Sequence, residues 1–227
     1  PSWLQIIFGS GVTIGSLTAI ILNLLFFHIG RPASPDVAVV DGKKINLDDV
    51  NAMDRDQFVE TFSSMFSAHT WPVERAWESR PFASVSELRS SFEDAVLAAS
   101  PEEAEELIAS YTDIVSLVLD GAGDEQANAD TSSLSVGEVT PEEAEELRAL
   151  AAAYHEKFGR PLIICVDNVV DRTHLLSSGW RRVEHSPARE ARFALGEIID
   201  IADLRFDQLV ADANPMRAAW DAGFERL

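Results

Sequence analysis

An all-α domain behind one membrane-crossing helix is the fold class this sequence predicts, on three observations. In the body of the chain, apolar residues recur at helical spacing in five separate segments, most of them opened by a Ser or Thr cap. Only PLIICV, residues 161–166, has the unbroken apolar character of a strand, and six residues cannot outweigh five helices. Residues 6–29 contain no Asp, Glu, Lys or Arg, which is long enough for a helix to cross the hydrocarbon core.

The N-terminal segment reads as a membrane span. A secretory signal would need a basic start and a shorter apolar run, and residues 1–5 carry no Lys or Arg. A soluble helix apolar on all sides would need a large protein around it. Gly9, Gly11, Gly15 and Ser16 cluster near one end, which lets a second helix approach closely. The stretch SGVTIGSLTAIILNLLF resembles the last transmembrane helix of the uracil–xanthine permease (nucleobase–cation symporter) family. That resemblance implies that residues 1–30 are the remnant of a carrier ending in the cytoplasm. Arg31, Lys43 and Lys44 after the span agree with that side. The chain opens on Pro1, as a processed or partial chain would.

Residues 31–45 hold two prolines and a glycine without helical period and read as a linker. The helical domain is placed at 46–215, with a tail at 216–227. NLDDVNAMDRDQFVETFSSMF puts Val50, Met53, Phe58, Phe62 and Phe66 on one face, with Asn46 or Asp48 as cap. Ser84 and Glu87 have capping-box spacing ahead of the next helix. Ser100 and Pro101 open a helix read through SPEEAEELIASYTDIVSLVL, and Thr140 and Pro141 open another that Gly159 ends. The Gly-, Ser- and Asp-rich residues 121–138 read as a surface loop. AREARFALGEIIDIADLRFDQLVADA is a long final amphipathic helix.

The formal net charge of −20 argues against nucleic acid as a partner and reports solubility rather than fold. Cys165 is the single cysteine, so neither an intrachain disulfide nor a multi-thiolate metal site is possible. The five histidines, His28, His69, His155, His174 and His185, form no metal-spaced pair with a carboxylate. There is no phosphate-binding glycine loop, zinc-protease helix or nucleophile elbow.

The body as a whole resembles the OHCU decarboxylase family across roughly residues 46–211. The resemblance is carried by VNAMDRDQFVETFSSMF, TWPVERAWESRPFASVSELRSSF, TPEEAEELRALAAAYHEKFGRPLIICV and ALGEIIDIADLRFDQLV, in that order. It implies an all-helical, dimeric, cofactor-free lyase of urate breakdown. Its substrate, 2-oxo-4-hydroxy-4-carboxy-5-ureidoimidazoline, loses carbon dioxide and is protonated on one face to give (S)-allantoin. Such chemistry needs a proton-transfer group and donors for a carboxylate and developing negative charge. Carried over by motif, the family's His-Pro-Asp-Leu reads Tyr111, Thr112, Asp113, Ile114. Its Glu-Gln pair falls on Glu125 and Gln126, with Ala122 where the family has Ser. Ile163, Ile164, Cys165, Val166 and Asp167 match its substrate-binding backbone segment, and Arg205 its substrate-holding Arg. The resemblance thus implies catalytic roles for Tyr111, Glu125 and Arg205, and substrate contacts from the others.

Plainer roles stand beside these. Tyr111 would be a packed aromatic on a helix, Glu125 a solvated acid, and Arg205 a surface ion-pair partner of Asp200, Asp203 or Asp207. Cys165 would be an inert core thiol, and Trp71, Trp77, Phe82, Phe158 and Leu204 core. Three functions follow as expectations. One is a decarboxylase tethered beside a purine carrier. The second is an impaired decarboxylase-like domain that dimerises or regulates the carrier. The third, a plain helical interaction module, would scatter Tyr111, Glu125 and Arg205.

Overall fold

In the computed structural model, residues 44–135 and 139–211 are described. Ten α-helices account for most of them: α1 Leu47–Ala52, α2 Arg55–Phe62, α3 Trp71–Trp77, α4 Val85–Leu97, α5 Pro101–Ala109, α6 Ile114–Asp120, α7 Glu125–Asp130, α8 Pro141–Phe158, α9 Arg172–Val183 and α10 Pro187–Leu209. The domain is all-helical. No β-strand is found among the described residues, apart from an isolated parallel bridge of Ile45 to Val210. The expected span at residues 6–29 lies outside the described residues, as do most of the linker and the tail. Among the described residues, no helix is long and apolar enough to cross a membrane.

Helix starts follow the caps. Asn46 Oδ1 accepts from the Asp49 amide at 3.0 Å. The helix expected to run on from there stops at Met53, because Asp54 and Gln57 form a complete capping box that starts α2. Ser100 and Glu103 form another at α5. At α4 the box is offset by one residue: Ser84 accepts from the Glu87 amide, but Glu87 Oε2 accepts from the Ala83 amide at 2.7 Å. Gly159 ends α8 with φ of 68°, a left-handed conformation that glycine adopts without strain.

Two expectations need correction. The helix read through residues 101–119 breaks between α5 and α6. Asp113 caps α6 through the Val115 amide at 2.9 Å, and its other oxygen accepts the Leu162 amide at 2.8 Å. Tyr111 therefore sits in a break, not on a helix. The loop expected at 121–138 contains α7 and a 3₁₀ turn, Ser132–Ser135. Asp124 caps α7 through the Ala127 amide, and the Asn128 side chain binds the Gly121 and Gly123 carbonyls. Helix α9, which no stretch singled out above covers, packs on α8. A Cβ at Gly179 would lie 2.5 Å from Leu150 Cδ2, so a larger residue there would force the Leu150 side chain to move.

Two apolar clusters form the core. The first stacks Phe58, Phe62, Phe82, Phe92 and Phe206 with ring centroids 4.8 to 6.2 Å apart, over Leu88, Leu107 and Ile198. The second gathers Ile114, Leu147, Leu150, Tyr154 and Leu175. Residues 161–165 run extended between them. Leu162 and Ile164 turn to the second cluster and Ile163 to the first, which explains the strand-like pattern without any neighbouring strand. Phe82 is core, while Trp71, Trp77 and Phe158 pack only partly buried at its margin.

Candidate active site

The α5–α6 break, α7, the extended run and the C-terminal half of α10 line a small cleft of about 60 Å³ that opens to solvent. Tyr111, Thr112, Asp124, Asp130, Thr131, Ile163, Ile164, Val166, Leu204 and Arg205 are among its lining residues.

Tyr111 is placed there by the break, its ring resting on the first apolar cluster. Its hydroxyl is buried without a hydrogen bond of good geometry, although the Ser67 backbone lies close enough to act on it. Burial pushes its pKa up to about 12, against the opposing pull of the Arg205 charge and the Ser67 backbone. The group is a neutral phenol at physiological pH. It can donate a proton but cannot accept one.

Arg205 projects from α10 and is buried. Its Nε and Nη2 both donate to Asp130 Oδ2, at 3.0 and 2.8 Å. Its Nη1 donates to the Ser64 carbonyl at 2.8 Å and the Met65 carbonyl at 3.4 Å. The expected ion pairs with acids on its own helix are not made. Asp203 and Asp207 instead engage Arg89, and Asp200 accepts from Asn168 at 2.7 Å. The reason is geometric: positions two residues apart on a helix point in different directions.

The extended run is held from behind. Glu197 on α10 accepts the Cys165 amide at 2.7 Å and Asn168 Nδ2 at 2.8 Å. Arg182 Nη1 donates to the Ile163 carbonyl. The same guanidinium pairs with Glu190, which is fully buried and also accepts from Tyr154 at 2.6 Å and meets His185 Nδ1 at 2.7 Å. This network fixes the backbone on which Ile163, Ile164 and Val166 reach the cleft.

The cleft thus brings together Tyr111, Thr112, Ile163, Ile164, Val166 and Arg205. It does not bring in Glu125, which is exposed in the first turn of α7, or Ala122, which is exposed before it. Gln126 lies one layer back, donating to Asp130 Oδ1 at 2.7 Å. Cys165 turns away into the core, with its thiol pushed up to about 12 by burial. Asp167 does not line the cleft either. Ser67, Asp124, Asp130 and Thr131 are the polar lining residues that sequence reasoning missed. For Asp130 the sequence carries no signal, because its partner Arg205 is 75 positions away. Among the described residues, no group of three or more His, Cys, Asp and Glu could hold a metal ion.

An all-helical domain with a small cleft between its last helix and a buried extended run, among the described residues, defines the class. The comparisons narrow it. Residues 51–207 match the family described as OHCU decarboxylase. The chain is 36% identical over 164 residues to the 2-oxo-4-hydroxy-4-carboxy-5-ureidoimidazoline decarboxylase of Haloferax volcanii, covering 71% of this chain and 94% of that protein. The protein of the same description from Halalkalicoccus jeotgali is 28% identical, with 73% and 92% covered. A crystal structure of (S)-allantoin synthase superimposes with a TM-score of 0.57 at 19% identity, over 73% of this chain and 54% of that one, a likeness of fold. The chain belongs to the OHCU decarboxylase family.

Proposed function

We propose that this protein decarboxylates 2-oxo-4-hydroxy-4-carboxy-5-ureidoimidazoline to (S)-allantoin in urate breakdown, without a cofactor. The observation that carries the reading is the convergence of a buried neutral phenol and a buried guanidinium on one cleft of a family-matched domain. Arg205 attracts the substrate's carboxylate, and the backbone of residues 163–166 orients the ring. Cleavage of the bond to the carboxylate releases carbon dioxide and leaves its electron pair delocalised into the ring and its carbonyl. The Tyr111 hydroxyl donates the proton that quenches this pair on one face, which sets the S configuration. The resulting phenolate sits beside the Arg205 charge, which favours it, and regains a proton from water.

The apolar residues 6–29 serve in this proposal as a membrane span from a nucleobase carrier, with the helical domain dimeric on the cytoplasmic side. The test of the central claim uses the full chain. The substrate is generated in situ by enzymatic urate oxidation and hydrolysis, and optical rotation is followed. The expected result is rapid formation of (S)-allantoin above the spontaneous racemic background. A rotation that stays at background would sink the decarboxylase reading. Recovery of the rate by Tyr111→His would then mark an impaired relative.

A further inference from the structure

The donors of Arg205 are almost all taken. A guanidinium has five N–H groups. Two go to Asp130 Oδ2 and two to the Ser64 and Met65 carbonyls, which leaves one hydrogen on Nη2 without an acceptor among the described residues. Asp130 is itself fixed by Gln126 at its other oxygen, and the side chains of the ion pair are only 8% and 10% exposed. Asp124 lines the same cleft. An incoming carboxylate therefore meets a guanidinium that cannot offer it a two-pronged fork and whose charge is already balanced.

We infer that Asp130 is a positioning residue that competes with the substrate's carboxylate for Arg205, holding the guanidinium rigid while tempering its grip on that group. The inference rests on the decarboxylase reading above. It has a kinetic sense. In the substrate the negative charge lies on the carboxylate, and in the transition state it has moved into the ring. A strong bidentate clamp on the carboxylate would stabilise the bound substrate more than the transition state and slow the chemical step. With one N–H left, Arg205 makes a single end-on hydrogen bond and its charge remains close to Tyr111, where negative charge develops.

The test compares an anionic and a neutral ligand on the full chain. Allantoate carries a carboxylate and allantoin does not. Titration calorimetry with each is run on the wild type, on Asp130→Asn and on Asp130→Ser, the last as a second variant that also removes the charge. Both variants are expected to bind allantoate about tenfold more tightly, the scale of one charge-assisted hydrogen bond gained. Allantoin binding is expected to stay within about twofold, well inside one tenfold step. With the true substrate, KM and kcat are expected to fall together, as when ground-state strain is removed. A purely structural Asp130 would weaken both ligands alike. That result, or unchanged or absent allantoate binding in the variants, would overturn the inference. Failure of the wild type to make (S)-allantoin sinks the decarboxylase reading alone, because the ligand comparison still decides whether Asp130 competes for Arg205.

Discussion

Arg182 and Arg205 make nearly the same bonds. Each gives Nε and Nη2 to a single carboxylate oxygen, Glu190 Oε1 in one case and Asp130 Oδ2 in the other. Each gives Nη1 to a backbone carbonyl, that of Ile163 or of Ser64. The surroundings differ. The Arg182 pair is closed: Glu190 has no exposed surface, and Tyr154 and His185 take its remaining valence. The Arg205 pair borders a cleft and faces an unbonded phenol. The lesson is that bonding pattern does not distinguish a structural arginine from a functional one. Access and the company of an unsatisfied polar group do.

If the comparison holds, the two arginines fail in different ways. The largest effect is expected at the closed pair. Arg182→Ala strands a fully buried carboxylate and should cost about 3–5 kcal/mol of stability in urea unfolding. A loss under about 1 kcal/mol, the scale of a surface pair, would show that the network is not a scaffold.

At the open side, Tyr111→Phe removes a hydroxyl that has no hydrogen bond of good geometry. The formation of allantoin should fall about 10²-fold or more, as for loss of a general acid. Stability should not fall, and should rise by up to about 1 kcal/mol, because a buried unsatisfied group is gone. Stability and rate falling together would return Tyr111 to the role of a packed aromatic. Arg205→Lys keeps the charge and loses the fork that Asp130 holds, so the cation is no longer fixed in place and kcat/KM should drop about tenfold; equal rates would mean that charge alone suffices.

The pH profile sharpens the same point. A donor must be protonated to act, and Tyr111 holds its proton up to about pH 12. Its contribution to the rate should therefore be flat through neutrality and lost only on the alkaline limb. The sign for stability follows by linkage. From the ordinary phenol value of 10.0 to about 12, the unfolded chain releases a proton that the folded one keeps, so stability falls as pH rises across that window. Tyr111→Phe should flatten this slope. The smallest effect is expected at Cys165, buried with its thiol pushed up to about 12. It should resist disulfide-exchange reagents at pH 8 until the protein unfolds. Rapid labelling of the native protein would mean that residues 161–166 open.

The α8 ends were legible because their signals are local: a Thr cap, a Pro in the first turn, a Gly at the stop. The final helix was legible from its amphipathic period alone. The α5–α6 break was not legible. Its cause is Asp113 reaching Leu162, 49 positions on, and a helical period ran straight through it. Helix α7 hid behind turn-forming residues whose side chains cap and brace it. Arg205 was named from its motif, but its nearest acids in sequence were the wrong partners.

What the sequence determined by itself was the helical class, the capped starts at Asn46, Ser84, Ser100 and Thr140, and the family, because periodicity, caps and ordered motifs are written in neighbouring residues. The tertiary structure alone decided which polar groups share a cleft. Tyr111, Asp130 and Arg205 come from a helix break, a short helix end and the last helix. Their meeting depends on how two apolar clusters pack around one extended run, and on which buried donors are left with nothing to bind.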